Sequence, residues 1–161
     1  MRKINQEITD KKTIESILST STICRIGMID EFKPYIIPVN YGYKDGFIYI
    51  HSAPEGKKIH ILKNNQFVCF EIEGTTKTIS NNIPCKWSEH YQSIIGYGTV
   101  EFIDDFESKT KALEIIMHQH GAEGVQKFEK KQVEFVVVLK LKIDELTAKQ
   151  SSNWNPLNVE I

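Results

Sequence analysis

TICRIGMIDEFKPYIIPVNYGYKDGFIYIHS, residues 22 to 52, decides the fold class of this chain. The stretch is rich in Ile, Val, Tyr and Phe, and turn residues interrupt it at DEFKP and at KDG. Such a pattern predicts strands over 22–29, 33–43 and 46–52, connected as an antiparallel meander. The pair Asp45–Gly46 is its strongest hairpin signal, because both residues tolerate the backbone of a two-residue turn.

The remaining chain continues this pattern with few helices. Further strands are predicted over 67–73, 93–103 and 132–146. Short helices are predicted after a cap at Thr9 or Asp10, around Ile59–Leu62, and over 104–121 with a cap at Asp104 or Asp105. The polar segment 74–90 reads as a long connecting loop. Six strands joined mostly as hairpins predict a mainly β fold with short helices, a closed or split antiparallel β-barrel.

The last predicted strand, QVEFVVVLKLKIDEL, is apolar on both faces over part of its length. One face carries alternate apolar residues from Phe135 to Ile143, and the opposite face carries Val136 and Val138 before it turns polar at Lys140. Part of this strand must therefore be covered on both sides. A partner subunit is a reasonable source of the second cover.

The composition indicates one ordinary domain spanning 1–161, with an N-terminal helix in 1–20 and a C-terminal tail over 145–161. The chain has 161 residues, 40% of them apolar. Twenty basic and twenty-one acidic residues give no overall field for nucleic acid or for a membrane surface. No apolar leader or spanning segment is visible, and three cysteines without metal-ligand spacing indicate reduced thiols. We expect a cytoplasmic protein.

The segment HSAPEGKKIHIL, 51–62, raises a question of charge. A helix N-terminus carries about half a positive unit charge, yet this helix begins with Lys57 and Lys58. A phosphate bound by the free amides, the Ser52 hydroxyl and both ammonium groups explains the arrangement. Two solvated lysines after a surface turn are the alternative, and the residues alone favour it over a phosphate site. Pro38, inside a good strand, indicates an edge or a bulge, and bulges are frequent next to binding sites.

Five segments follow one another along the chain: PYIIPVNYGYKDGFIYIHSAPEGKKIHIL, VCFEIE, CKW, YQSIIGYGTVEFI and ELTAKQS. In this order they resemble the FMN-binding split-barrel proteins related to pyridoxamine 5'-phosphate oxidase. HSAPEGKK and SIIGYG are most similar to the branch of nitroimidazole-resistance proteins. The resemblance runs from about Thr22 to Ser151. It implies a six-stranded antiparallel split β-barrel that binds FMN at the interface of a homodimer, with both chains lining each site.

The resemblance also implies which residues bind the cofactor. The backbone of the segment Pro38, Val39, Asn40 and Tyr41 would lie along the isoalloxazine ring. His51 and Ser52 would approach the ring edge and the ribityl phosphate, while Lys57 and Lys58 would hold the phosphate. Gln92 and Ser93 match a region where relatives place a polar side chain against the flavin.

Other chemistry-bearing residues offer weaker signals. His118 and His120 diverge on a helix and predict no metal site. Cys85, Trp87 and His90 lie in the long loop, where a thiol and a base lack a third orienting group, so we expect this loop to pack over the flavin or the subunit interface. Trp154 either reaches the partner subunit or the site, or lies in a frayed tail. Cys24 and Cys69 are expected to be small core residues.

Three functions remain open on the sequence. The first is an FMN-dependent oxidoreductase acting on a small, nitroaromatic compound, in which no side chain has to be a nucleophile. The second is a flavin-binding module that stores FMN or senses redox state. The third is a haem-binding barrel with His51, His118 or His120 as ligand. The C-terminal signature with which pyridoxamine 5'-phosphate oxidases bind their vitamin substrate is not evident, which argues against that substrate.

Overall fold

The computed structural model describes residues 4–152 and residue 154. Within these residues the chain forms eight strands and four α-helices. The strands are β1 (Glu7–Ile8), β2 (Ile23–Asp30), β3 (Lys33–Asn40), β4 (Gly42–Lys44), β5 (Phe47–Ser52), β6 (Phe67–Ile79), β7 (Ser88–Ile103) and β8 (Val137–Gln150). The helices are α1 (Lys11–Thr20), α2 (Lys57–Asn64), α3 (Phe106–Gln119) and α4 (Lys130–Phe135), and short 3₁₀ turns lie at Ile4–Gln6 and Pro84–Lys86.

The strands form one antiparallel sheet in the order β3-β2-β6-β7-β8-β5-β4, with β1 paired to β8. The two edge strands, β3 and β4, are consecutive in the chain and are joined through Tyr41. The sheet therefore curls back on itself as an antiparallel barrel, and β3 approaches β5. The predicted fold class is confirmed. The predicted strand 33–43 is one bent run divided at Tyr41, and β1 is an addition that the sequence did not indicate.

Alternating side chains build the core of the barrel. Along β2, Cys24, Ile26 and Met28 point inward, and even-numbered residues do the same along β5, β6 and most of β7. Ile17 and Leu18 of α1 join the same core. The predicted caps are confirmed: the side chain of Asp10 accepts a hydrogen bond from the Thr13 N–H at 2.9 Å.

The helix α3 lies on the outer surface of β4 and β5. Its Asp105 cap accepts a hydrogen bond from the Ser108 N–H at 2.8 Å. Gly42 permits the close approach, because a Cβ there would lie 2.6 Å from the Ile116 backbone nitrogen. A second small apolar cluster forms on this side from buried residues of α3, α4 and β8: Ala112, Ile116, Val133 and Val138.

This arrangement corrects the interpretation of the last strand. Val138 is fully buried within a single chain, so helices of the same chain, and not a partner subunit, cover the second face of β8. Phe135, predicted to be in the strand, lies at the end of α4 and is exposed. The strand instead begins at Val137 and continues to Gln150, six residues into the segment predicted as a tail. Residues 155–161 lie outside the described residues.

The predicted loop 74–90 is also mostly strand. β6 and β7 extend beyond the barrel as a paired ribbon, and only residues 80–87 connect them. Most side chains of the ribbon are polar and exposed, so its sequence lacks the alternation of apolar and polar residues by which a strand is predicted.

Candidate functional site

The end of β5 and the start of α2 form a corner that fits an anion. Ser52 is buried, and its hydroxyl donates to the Ala53 carbonyl at 2.9 Å. Gly56 is the N-cap of α2 with φ of 124°, a conformation that favours glycine. No side chain caps this helix, so the amides of its first turn keep no side-chain partner.

The two lysines at the start of α2 have different surroundings. Lys57 Nζ lies 2.9 Å from Asp30 Oδ2 and 4.7 Å from the centroid of the Tyr35 ring. Its hydrogen bond to Asp30 raises the pKa of Lys57 and lowers the pKa of Asp30. Lys58 is half-buried, and within the described part of the chain no carboxylate lies within ion-pair distance of it. Lys58 is therefore the lysine that is ready for an external anion.

His51 shares the neighbourhood of Lys58. Partial burial lowers the pKa of the His51 imidazole, and the nearby charges of Lys58 and His120 lower it further. Lys58 and His120 thus lie near enough to His51 to disfavour its protonated form. A nearby anion would favour the protonated form of His51. We call His51, Ser52, Lys58 and the first turn of α2 the anion corner.

The segment Pro38–Tyr41 runs towards this corner. Gly42 pairs with Tyr49, so the preceding backbone at Asn40 lies alongside β5 near His51. Pro38 and Asn40 are exposed on the outer surface, and Pro38 lies on an edge strand, as its missing N–H predicts.

The side chain of Tyr41 is fully buried instead of facing a ligand. Its hydroxyl donates to the Leu18 carbonyl at 2.8 Å, and burial raises the pKa of Tyr41. Val39 is half-buried against the core. A contact of Val39 or Tyr41 with a cofactor would therefore involve their backbone, as the resemblance implies.

Gln92 and Ser93 lie far along the sheet from the anion corner. Ser93 pairs with Lys149 of β8, whereas His51 pairs with Val138 of the same strand, eleven residues earlier. Ser93 is on the outer face, but the Gln92 side chain points inward and its amide donates to Gln150 Oε1 at 3.3 Å. The predicted residues thus form two groups in one chain.

An exposed apolar surface was not predicted from the sequence. On the outer side of β3, β2, β6 and β7, Ile36, Gly27, Cys69 and Tyr97 form a cross-strand row. Ile36 is 66% exposed and Phe67 is 55% exposed. We call this surface the outer apolar face, and it comprises Gly27, Ile36, Phe67, Cys69, Ile95 and Tyr97. Cys69 therefore lies on this face and not in the core as expected.

The middle of the outer apolar face is recessed, because Gly27 has no side chain to fill it. A depression of about 460 Å³ is lined there by Arg25, Ile36 and Glu71 among others. Arg25 Nη1 lies 2.9 Å from Glu71 Oε2, and Arg25 Nη2 lies 3.5 Å from Glu73 Oε2. The surface thus combines apolar side chains with charges of both signs.

The histidines considered as metal or haem ligands lie on two different surfaces of the protein. His118 lines a groove of about 750 Å³ between α3 and β4–β5, together with Tyr43 and Tyr49. His120 lies near His51 at the anion corner. In the part of the chain that the structure describes, no group of His, Cys, Asp and Glu side chains is arranged to hold a metal ion. Cys24, Cys69 and Cys85 are free thiols.

The sequence profile described as pyridoxamine 5'-phosphate oxidase matches residues 10–150 of the chain. The chain belongs to the pyridoxamine 5'-phosphate oxidase family. A proposed 5-nitroimidazole antibiotic resistance protein from Bacteroides thetaiotaomicron is 36% identical, with a TM-score of 0.80. The match covers 89% of this chain and 86% of that protein. These findings confirm the resemblance on which the predicted branch rests.

More distant members of the structural class share the fold alone. A FAD- and haem-binding protein from Mycobacterium smegmatis is 17% identical with a TM-score of 0.81, covering 92% of this chain and 75% of that protein. The flavocytochrome Anf3 from Azotobacter vinelandii is 19% identical with a TM-score of 0.76, covering 91% and 69%. A comparison with curated protein sequences finds no significant match.

None of the helices in residues 4–152 has the length and apolar character required to cross a bilayer.

Proposed function

We propose that this chain is an FMN-dependent oxidoreductase of the cytoplasm, which binds FMN between two identical subunits and reduces a small, nitroaromatic compound. The anion corner is the observation that carries the proposal. It combines the uncapped N-terminus of α2, the Ser52 hydroxyl, Lys58 and His51, and free amides with an ammonium group are partners that bind a phosphate monoester.

The division of the predicted residues supports a dimeric site. The group at β3, β5 and α2 is separated from Ser93 by much of the length of β8. A second copy of the chain can supply Ser93, with the backbone of Gln92, to the ring of a flavin whose phosphate lies at the anion corner of the first. Pro38, Asn40 and Ser93 are all on the outer surface, where such a ring would lie.

The outer apolar face supports a second copy as partner. Exposed apolar patches of this kind mark interaction sites. Arg25, Glu71 and Glu73 lie on the same face, so a second copy related by a two-fold axis would meet charges of both signs there. The face is also continuous with Pro38 and Ser93, so the same contact would complete the flavin site.

Bound FMN would supply the electron-transfer chemistry, and the side chains would position and shield it. Lys58, His51 and the α2 amides would hold the phosphate, and the Pro38–Tyr41 backbone would hydrogen-bond along the ring. The partner's outer apolar face would exclude water from the reacting edge. In this chemistry no side chain has to act as a nucleophile.

Two measurements test the proposal. The full-length protein is mixed with FMN and desalted, and we expect the visible flavin absorbance to elute with the protein. A stopped-flow experiment then follows reduction by NADH or NADPH and reoxidation by a nitroaromatic acceptor. Retained flavin that does not turn over would favour a storage or redox-sensing module. Retained haem with a Soret band, and no flavin, would favour the haem-binding alternative that the M. smegmatis and A. vinelandii proteins suggest.

A further inference from the structure

The groove of about 750 Å³ between α3 and the strands β4 and β5 has the lining of a ligand site. We call it the α3 groove. Its sheet wall carries three aromatic rings, Tyr43, Phe47 and Tyr49, and its helix wall carries Glu114 and Ile115. Sites for small molecules have this volume and this combination of apolar surface with a few polar groups. The lining includes no residue of the anion corner or of the outer apolar face, so the site is independent of the flavin proposal.

Hydrogen bonds within the chain hold the two walls of the α3 groove together. The Tyr43 N–H donates to Gln119 Oε1 at 2.6 Å, and the Gln119 amide donates to the Leu18 carbonyl at 3.0 Å. The Tyr43 hydroxyl donates to Glu15 Oε1 at 2.8 Å and accepts from the Gly46 N–H at 3.2 Å. These bonds join β4 to α3 and to α1. The groove is therefore formed before a ligand arrives, which lowers the cost of ordering it on binding.

Two carboxylates line the α3 groove, one on each wall. Glu114 is half-buried on α3, and within the described residues its side chain has neither a hydrogen bond nor an ion pair. Asp45 lies in the turn between β4 and β5, where its charge adds to the effect of burial and raises the pKa of Tyr49. Partial removal of an ionised carboxylate from water is unfavourable unless a partner compensates it. Glu114 is thus the group that a bound cation would satisfy.

The two lysines that line the α3 groove do not cancel this preference. Lys111 Nζ lies 2.7 Å from Glu107 Oε1, so an acid outside the lining already neutralises it in part. Lys44 is exposed and precedes the exposed Asp45, so these two opposite charges offset each other. The charge of Glu114 remains uncompensated. A ligand with one ammonium group therefore fits the groove better than a ligand with a carboxylate.

We propose that the α3 groove binds a primary amine that carries an aromatic ring, that is, an arylalkylamine. The ammonium group donates to the Glu114 carboxylate, and the ring packs on the sheet wall. Lys140 Nζ lies 3.9 Å from the centroid of the Phe47 ring, so a cation of the protein already occupies one face of that ring. Tyr43 and Tyr49 are then the rings that contact the ligand.

The test is a calorimetric titration of the full-length protein at pH 8, above the ordinary pKa of histidine. Phenethylamine should bind saturably, whereas the neutral 2-phenylethanol and the anionic 3-phenylpropionate should bind at least about threefold more weakly. Glu114→Gln should weaken phenethylamine binding by about threefold to tenfold and leave 2-phenylethanol binding unchanged. Glu123→Gln makes the same change of charge at an exposed position outside the groove, and this control should bind phenethylamine normally.

A second variant separates the ring contact from the charge contact. Tyr49→Leu should weaken the binding of phenethylamine and 2-phenylethanol by the same factor, about twofold to tenfold, because both probes carry the ring. Melting curves establish that each variant is folded. Absence of saturable phenethylamine binding, equal binding of 3-phenylpropionate, or unchanged phenethylamine binding by a folded Glu114→Gln protein would overturn the proposal. Displacement of phenethylamine by FMN would overturn it as well.

Discussion

Replacing one of two adjacent lysines should separate a phosphate contact from a surface ion pair. Neighbouring residues on an α-helix point about 100° apart. Accordingly, Lys57 binds Asp30 and lies over Tyr35, whereas Lys58 faces the side of His51. We therefore predict that Lys58→Ala weakens FMN binding strongly and that Lys57→Ala, the matched control, hardly changes it.

The magnitude follows from the surroundings of Lys58. A hydrogen bond to a charged group contributes about 1.5–3 kcal/mol, and the half-exposed position of Lys58 reduces this to about 1–2 kcal/mol through solvent screening. The dissociation constant for FMN should then rise by about 5-fold to 30-fold. Lys57→Ala should change it by less than about twofold, because an exposed ion pair contributes little.

The assay is a titration of flavin fluorescence with FMN and, in parallel, with riboflavin, which lacks the phosphate. Lys58→Ala should lower the preference for FMN over riboflavin and leave riboflavin binding unchanged. Equal losses for the two lysine variants, or an equal loss of riboflavin binding, would refute the assignment of Lys58 to the phosphate.

Three further predictions concern the subunit interface, the stability of the protein below about pH 6.5, and a hydrogen bond in the core. Ile36→Glu on the outer apolar face should yield monomers that no longer retain FMN but still melt cooperatively. Val125→Glu, at a position that is 87% exposed and lies outside that face, is the control and should stay dimeric. Light scattering measures the mass of each variant, and a dimeric Ile36→Glu protein would contradict the proposed interface. Burial holds the pKa of His51 below its ordinary value of 6.5, so the unfolded chain binds more protons and stability falls as pH drops below about 6.5. His51→Gln should flatten this part of the pH–stability curve in urea melts, and an unchanged slope would exclude His51 as a source. Tyr41→Phe should lower the free energy of unfolding by only about 1 kcal/mol, because the Leu18 carbonyl that loses the Tyr41 hydroxyl still accepts a hydrogen bond from the Gln119 amide. FMN affinity should not change, and a loss of FMN affinity would assign the Tyr41 hydroxyl to the site.

Local sequence signals determined much of the fold. The hairpin at Asp45–Gly46 forms with positive φ at both residues, and Asp10 and Asp105 cap their helices as predicted. These features depend on neighbouring residues only. Two elements were predicted wrongly because they depend on tertiary contacts. Helix α4, predicted as strand, is held by the burial of Val133, and the ribbon of β6 and β7, predicted as loop, forms by strand pairing without an apolar face.

The candidate site was predicted less completely, for two physical reasons. The sequence identified Lys57 and Lys58 as a pair, but it could not show that Asp30, distant in sequence, binds one of them. Likewise it could not show that Gln92 faces the interior while Ser93 faces outward, since a register shift of one residue exchanges the two faces of a strand. The outer apolar face combines residues from four strands, so only the assembled sheet reveals it.

Sedimentation velocity of the FMN-treated protein, recorded at both a protein and a flavin wavelength, tests the central claim most directly. We predict a single species of twice the 18.6 kDa chain mass that carries flavin absorbance, and Ile36→Glu should lose the dimer and the flavin together. A monomer that carries flavin, or a dimer that binds none, would contradict a flavin site completed by a second subunit.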